Sequence, residues 1–151
     1  MSSFIGDYTC KVDTKGRIML PSAFKRQMAP ASQDVFVVKK DIYENCLVLY
    51  TMNEWERQNE IIRENTNPYN REHNQFLRGF FRGTAEINAD ATNRILIPRR
   101  LLDEAGINNE VVMAGQGTKI EIWAKEIYEG MGDKDGFAKL AEKIMGKTVN
   151  D

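Results

Sequence analysis

Two stretches of the chain share one pattern of polar and apolar positions. They are residues 12–21 (VDTKGRIMLP) and residues 89–98 (ADATNRILIP). Each reads as a polar strand end, a tight turn, a short apolar strand and a proline, which cannot donate to a strand ladder. Gly16 and Asn93 occupy the same turn position, and both residue types tolerate a positive φ. The sequence therefore predicts one hairpin device, D-x-x-[G/N]-R, that is used twice.

The pattern after each copy predicts the same series of elements in both halves. Asn53 is the expected N-cap of the first long helix. We expect strands at 4–12, 17–21, 35–38 and 46–50, and again at 84–89, 94–98, 110–114 and 119–123. We expect helices at 21–28, 52–65, 68–82, 99–105, 125–130 and 135–146, with fraying of the last few residues.

The number of strands in each half indicates how the halves combine. Four short strands are few for a unit that is stable on its own. Two similar halves can pair about a pseudo-two-fold axis and close a small barrel, which removes open sheet edges. The sequence therefore predicts a β-rich α+β fold with peripheral helices, in which the two turns lie on neighbouring parts of one surface.

Composition narrows the class of protein. The chain has 151 residues, of which 42% are hydrophobic and 28% are charged, as is usual for one soluble globular domain. No apolar stretch approaches the roughly 18 residues of a membrane span, and no signal peptide is visible, so we expect a cytoplasmic protein. One disulfide is possible, but we interpret Cys10 and Cys46 as small buried thiols in a reducing compartment.

Charge is small in total but uneven along the chain. A formal net charge of −1 argues against a protein that coats nucleic acid indiscriminately. Both repeat copies nevertheless lie in basic segments, and the acidic excess falls elsewhere, notably after Asp103. The basic residues are Lys11, Lys15, Arg17, Lys25 and Arg26 in the first segment, and Arg71, Arg78, Arg82, Arg94, Arg99 and Arg100 in the second. This distribution fits a local nucleic-acid contact, and it also fits solvated charge without a partner.

Two pairs of segments give the chain a resemblance to a known family. The repeat cores are DTKGRIMLP and DATNRILIP, and the later strands lie within CLVLYTMNEW and KIEIWAKEIY. Together, over about residues 4–130, they resemble the MraZ family, which is related to the AbrB-type transition-state regulators. The resemblance implies two AbrB-like swapped-hairpin repeats, at 4–66 and 84–130, that form one barrel. A connecting helix at 67–83 and a helical C-terminal tail at 131–151 complete the expected domain organisation.

The resemblance also implies a function and partners. It implies a bacterial transcriptional regulator, usually a repressor, of the division and cell-wall gene cluster. The expected partners are double-stranded DNA with promoter-proximal direct repeats, and further copies of the chain in a ring-like homo-oligomer. The expected location is the cytoplasm, in association with the nucleoid. No cofactor, metal or membrane is expected.

In the family, the D-x-x-x-R turns contact DNA. Arg17 and Arg94 are the expected readers of base edges, because the guanidinium fork matches O6 and N7 of guanine. Asp13 and Asp90 are expected to shape the turn and orient the arginine, because a carboxylate facing phosphate would be repelled. The full set of expected DNA-binding residues is Asp13, Lys15, Gly16, Arg17, Asp90, Asn93 and Arg94.

The two turns are not expected to be equivalent on DNA. Lys15 is an expected phosphate contact, and its counterpart in the second turn is the uncharged Thr92. Asn93 stands where glycine is frequent in the family, although asparagine accepts the same backbone conformation. We therefore expect the first turn to contribute more to binding.

The same residues allow other interpretations. In one interpretation, each Arg–Asp pair does no more than rigidify its hairpin. The DTKG segment superficially resembles the Asp-Thr-Gly of aspartic proteases, but a shared-proton dyad needs shielded carboxylates, and the adjacent basic residues would keep both aspartates ionised. His73 is the only histidine and lies in a polar helical segment, which disfavours a histidine-based catalytic or metal site. We expect no enzyme, and the remaining alternative is an oligomeric scaffold or protein-binding module without DNA binding.

Overall fold

The structure is a computed structural model, and it describes residues 3–146. The strands of this range are β1 (Asp7–Lys11), β2 (Arg17–Met19), β3 (Val35–Lys40), β4 (Leu47–Thr51), β5 (Ala85–Asn88), β6 (Arg94–Leu96), β7 (Glu110–Gln116) and β8 (Lys119–Ala124). The α-helices are α1 (Ser22–Arg26), α2 (Met52–Glu64), α3 (Arg71–Phe81), α4 (Arg99–Glu104), α5 (Lys125–Glu129) and α6 (Lys134–Met145). The predicted series of elements is confirmed in both halves. The expected fraying falls on residues 147–151, which lie outside the described range.

Most of the strands belong to one antiparallel sheet. Six strands follow the order β1-β7-β8-β4-β3-β5, and β2 and β6 form a separate two-stranded sheet, here called the ribbon. Four pairings join the two halves: β1 with β7, β3 with β5, β4 with β8, and β2 with β6. Neither half therefore completes its strand pairing without the other, as the shortness of the strands led us to expect.

The ribbon lies over the main apolar core. Ile18 and Ile95 pair at the centre of β2 and β6, and both are fully buried. They belong to a cluster that also contains Phe24 of α1, Phe36 of β3 and Leu102 of α4. Burying one such side chain stabilises the fold by about 1.5–3 kcal/mol. The repeated aliphatic positions therefore fix the ribbon, and the two turns attached to it, against the rest of the chain.

The strands do not form the closed barrel that the sequence led us to expect. In the described part of the chain, the six-stranded sheet ends at β1 and β5, and no closed ring of strands is found. Single β-bridges, Val12 with Ile18 and Ala89 with Ile95, join the ribbon to the residues that follow β1 and β5. Each hairpin diverges directly after its turn, so a continuous ladder does not form there. The repeat boundaries and the swapped-hairpin description stay predictions.

Two helix starts also differ from prediction. Thr51, and not Asn53, is the N-cap of α2, because β4 continues to Thr51 and its Oγ1 accepts a hydrogen bond from the Glu54 N–H (3.2 Å). Asn53 lies within the first turn of the helix. The next helix, α3, begins later than predicted, after the N-cap Asn70, since residues 67–70 form a turn closed by a 3.0 Å backbone bond.

Candidate nucleic-acid interface

The first turn is organised by the carboxylate of Asp13. Its Oδ1 accepts hydrogen bonds from the backbone N–H groups of Lys15 (2.9 Å) and Arg17 (2.8 Å). Its Oδ2 accepts a bond from Arg17 Nε at 2.7 Å. Gly16 has a φ of 89°, in the left-handed region that favours glycine. One short side chain thus fixes both the turn and the direction of the arginine.

The second turn repeats this arrangement residue by residue. Asp90 Oδ1 accepts bonds from the N–H groups of Thr92 and Arg94, both at 2.9 Å, and Oδ2 accepts one from Arg94 Nε at 3.1 Å. Asn93 has a φ of 68°. The predicted positive φ at the shared turn position is confirmed in both copies, and both aspartates shape their turns as expected.

These hydrogen bonds keep both carboxylates ionised. The backbone N–H of Arg17 is the main cause that lowers the pKa of Asp13 below its usual value. The N–H of Arg94, supported by two bonds from Thr92, lowers the pKa of Asp90 to about 2. Two fully ionised aspartates cannot share a proton, so the arrangement does not fit an aspartic-protease dyad.

The ribbon brings the two turns to one surface. In its antiparallel register, Arg17 lies opposite Leu96 and Met19 lies opposite Arg94. Residues two apart on a strand share a face, as do residues directly opposite, so these four side chains lie on the same side of the ribbon. The buried isoleucines occupy the other side. The sequence predicted neighbouring turns, and the register now places both arginines on one small face.

Each arginine is bonded through Nε to its aspartate. The side chains of Arg17 and Arg94 are 29% and 34% exposed. Within residues 3–146, neither arginine donates an Nη hydrogen bond. The terminal nitrogens of both guanidinium groups are therefore aligned by a carboxylate and remain able to donate to an external acceptor.

Basic side chains from the opposite half reach each turn. Lys25 Nζ, at the end of α1, donates to Asn93 Oδ1 at 2.5 Å, and an Nη of Arg99 in α4 donates to the carbonyl of Thr14 at 3.4 Å. Sequence reasoning placed Lys25 and Arg99 in basic segments but did not assign them to the site. Both residues follow the proline that ends a repeat copy, and this was the only local feature that marked them. The contacts themselves join residues of different halves, so local sequence does not predict them.

The remaining candidate groups have structural partners. The side chains of Asp41, Cys46 and Glu121 place ligand atoms within 4.8 Å of one another. Asp41, however, accepts two backbone bonds of its own turn, and Glu121 accepts one from Trp123 Nε1 at 3.0 Å. Burial, with the nearby Glu121 carboxylate, raises the pKa of the Cys46 thiol to about 12, so the thiol is protonated at neutral pH.

The cysteines and the histidine have no catalytic arrangement in the described chain. Cys46 is buried, Cys10 is half-buried, and both are free thiols. His73 Nδ1 accepts a hydrogen bond from the Asn67 N–H at 2.8 Å, which stabilises the turn before α3. None of the helices in residues 3–146 has the length and apolar character needed to span a membrane.

Comparison with known proteins identifies the same family that the two turn segments resemble. The profile of the family described as "MraZ protein, putative antitoxin-like" matches residues 3–77 and 80–145. A "Transcriptional regulator MraZ" of Christiangramia forsetii is 43% identical over 156 residues, covering 100% of this chain and 98% of that protein. Proteins of the same name from Flavobacterium psychrophilum (40% identical, covering 100% and 96%) and Clostridium tetani (37% identical, covering 93% and 96%) also match.

The two matched regions together cover most of the chain, and the relatives align with it over nearly their full length. The chain therefore belongs to the MraZ family. Its relatives are named as transcriptional regulators and not as enzymes, which indicates a role in transcription regulation.

Proposed function

We propose that this protein is a DNA-binding transcriptional regulator that contacts duplex DNA through its two D-x-x-[G/N]-R turns and the ribbon between them. The observation that carries the proposal is the pair of aspartate-oriented arginines on one ribbon face. Both use Nε internally, and within residues 3–146 neither donates an Nη hydrogen bond, which leaves the terminal nitrogens able to donate to DNA. Family membership supports the regulatory part of the proposal.

The ribbon is a two-stranded antiparallel element, a type that the major groove can accommodate. The major groove of B-DNA admits a two-stranded β-ribbon, and several DNA-binding proteins place strands there. The two arginines lie on opposite strands of the ribbon and two register positions apart. We infer that Arg17 and Arg94 donate to O6 and N7 of guanines, because this is the specific contact for which the guanidinium fork is suited.

Other residues of the turns take supporting roles in this proposal. Lys15 lies at the exposed tip of the first turn and supplies a phosphate contact. Asp13 and Asp90 hold the arginines without touching DNA, since both carboxylates are already engaged by backbone N–H groups. Gly16 and Asn93 give the backbone conformation that brings the turn close to the duplex.

A single chain offers two turns, which is a small footprint for a specific regulator. We propose that the chain acts as a homo-oligomer, ring-like as in the family resemblance, in which each copy adds a pair of turns. Linked sites then bind with an effective concentration that raises the overall affinity. The expected operator holds several short direct repeats near helical-turn spacing, upstream of the division and cell-wall gene cluster, where binding would repress transcription.

The test is an affinity measurement as a function of salt. A labelled duplex from the region upstream of the protein's own operon is titrated with protein between about 50 and 200 mM salt, a range over which six to ten phosphate contacts would cost about 10³–10⁵ in affinity. A random duplex of equal length is the control for specificity. Affinity that is flat with salt, or equal for both duplexes, would contradict the proposal.

Exposed apolar residues on α6 favour a second candidate function. Helix α6 exposes an apolar stripe of Phe137, Leu140 and Ile144, which are 70%, 51% and 63% exposed. Such a face suits a protein partner, so a scaffold or protein-binding module without DNA binding is the second candidate. A scaffold of this kind would be an oligomer by light scattering and would show no retention on heparin and no salt-dependent DNA binding.

A further inference from the structure

Two large apolar side chains are exposed on the ribbon beside the arginines. Met19 is 53% exposed and Leu96 is 52% exposed. They share one side of the ribbon with Arg17 and Arg94, and these four residues are here called the ribbon face. The face is therefore half cationic and half apolar, with the two kinds of side chain alternating along each strand and across the pair.

The fold itself does not require apolar residues at these two positions. The core side of the ribbon is filled by Ile18 and Ile95, which are fully buried. A polar β-branched residue such as threonine would suit an exposed strand position at least as well. Met19 and Leu96 thus leave about half of their surface in water.

The register places one apolar side chain directly beside each arginine. The backbone bond from Ile97 N to Gly16 O (3.0 Å) marks these two residues as a hydrogen-bonded pair. Hydrogen-bonded and non-hydrogen-bonded pairs alternate in antiparallel ladders, so Arg17 and Leu96 form a close pair with Cα atoms about 4.5 Å apart. The pair two positions further along, which contains Arg94, is of the same close type.

We propose that Met19 and Leu96 contact the C5-methyl groups of thymines next to the base pairs that the arginines read. This inference rests on the proposed DNA binding and names what the ribbon face recognises. In the major groove, thymine is distinguished by its methyl group, and apolar side chains recognise it by contact. Opposite side chains lie about 4.5–5.5 Å apart and successive bases about 3.4 Å apart, so each thymine lies within one or two base pairs of a guanine.

Charge argues for DNA rather than a second copy of the chain on this face. A protein surface that covered Met19 and Leu96 would also cover two guanidinium groups whose terminal nitrogens have no acceptor within residues 3–146, and burying such donors without new partners is costly. The floor of a major groove offers guanine acceptors and thymine methyl groups side by side. The alternating chemistry of the ribbon face matches that mixture.

The experiment uses the full-length protein and a duplex that wild-type protein has selected from a random pool. Each thymine of this duplex is replaced in turn by deoxyuridine, which lacks only the C5-methyl group. Wild-type protein should lose about fourfold in affinity at each contacted thymine, the value of one buried methyl group. Met19→Ala and Leu96→Ala should each abolish the effect of deoxyuridine at a different subset of positions, and should leave the other positions as sensitive as before.

Ile42→Ala is the matched control, because Ile42, in the turn between β3 and β4, is equally exposed at 53% and lies outside both the ribbon face and the α6 stripe. It should keep the wild-type response at every thymine.

Indifference of wild-type protein to every replacement, or unchanged sensitivity in both ribbon variants, would overturn the inference while the proposed DNA binding stands. A change of oligomer size in the ribbon variants, measured by light scattering, would overturn it in favour of a contact between copies. Failure of wild-type protein to select any duplex would refute the proposed function and this inference together.

Discussion

The two turns share one backbone and differ in how they use their polar side chains. In the first turn, Lys15 has no side-chain hydrogen bond within residues 3–146, and its charge stands at an exposed tip. In the second turn, the equivalent Thr92 donates its hydroxyl to Asp90 Oδ1 at 3.0 Å. The first turn therefore carries an extra exposed cation, whereas the second turn uses the same position to reinforce its own hydrogen bonding.

The residue with positive φ shows the same contrast. A Cβ on Gly16 would lie 3.0 Å from the carbonyl oxygen of Ile97, a tight contact that would require a small shift of the neighbouring backbone. The second turn accepts Asn93, whose side-chain oxygen takes a bond from Lys25 Nζ. The first turn also receives a cation from the other half, because Arg99 bonds the Thr14 carbonyl at 3.4 Å, so the contrast in free charge between the turns rests on Lys15. The comparison predicts that the first turn contributes more to DNA affinity.

The largest expected effect is that of Arg17→Ala on operator binding. Loss of a bidentate base contact should weaken binding by about 1–3 kcal/mol per contacted site, and by more where several copies engage one operator. Arg94→Ala should cost less, because the second turn presents less free charge. The measurement is the Kd of each variant for the operator and for a random duplex.

Thermal stability distinguishes a DNA-contacting role of Arg17 from a purely structural role of the Asp13–Arg17 pair. A surface ion pair contributes only about 0–1 kcal/mol, so the Tm of Arg17→Ala should stay near that of the wild type. Arg63→Ala, which removes an equally simple ion pair with Glu60 on α2, is the control and should bind normally. If Arg17→Ala binds like wild type, the first turn is not a DNA contact. If it loses binding only because it unfolds, the pair is structural.

The next largest effect is expected for Gly16→Ala. Its left-handed φ of 89° disfavours a Cβ, and the Cβ would also press on the Ile97 carbonyl. Left-handed conformation costs a non-glycine residue about 1–2 kcal/mol, and the contact adds to that, so both Tm and affinity should fall. Asn93→Gly is the matched change in the second turn. It should leave Tm within a few degrees of wild type, and an equal fall in both variants would remove the asymmetry argued here.

Much of this site was predictable from local sequence. The repeated D-x-x-[G/N]-R pattern fixes the turn, because an aspartate bonded to nearby N–H groups and a residue that accepts positive φ are local requirements. The short apolar run after each turn likewise predicted a strand, and Ile18 and Ile95 in these runs are fully buried. These features depend on residues within one turn or one strand, so the sequence carries them fully.

The parts that were missed depend on contacts between distant segments. The open sheet with a separate ribbon follows from how β2 and β6 pair, and a strand pattern does not name its partner. The approach of Lys25 to Asn93 likewise joins residues from different halves. The N-cap of α2 was misplaced for a different reason: Thr51 and Asn53 are both suitable residue types, and only the end of β4 decides between them.

A smaller, pH-dependent effect is expected from the turn aspartates. Asp90 has a pKa lowered to about 2, below the ordinary value of about 3.9, so its ionised form stabilises the fold at pH values above 4. That contribution should disappear as pH falls from about 4 to about 2. The Tm difference between wild type and Asp90→Ala should therefore be constant near neutral pH and narrow across this acidic range.

Asp13→Ala should behave in the same direction, since the pKa of Asp13 is also lowered. Both variants should lose some operator affinity as well, because each arginine loses its orienting carboxylate. Glu60→Ala is a suitable control, since that carboxylate pairs with Arg63 on an exposed helix face. A Tm difference that stays constant down to pH 2 would mean that ionisation of Asp90 does not stabilise its turn.

The smallest effect, and the most direct test of the contrast, comes from exchanging the residues that differ at the tips. Lys15→Thr gives the first turn the residue of the second, and Thr92→Lys does the reverse. Each phosphate contact contributes about 0.9 to the slope of log affinity against log salt concentration, so Lys15→Thr should flatten that slope by about this amount per engaged subunit. Affinity should fall equally for operator and random duplex, because a phosphate contact carries no sequence information.

Thr92→Lys should steepen the slope if the second turn approaches the DNA backbone as the first does. An unchanged slope in Lys15→Thr would show that the free cation of the first turn does not touch DNA, and the difference between the turns would then need another explanation.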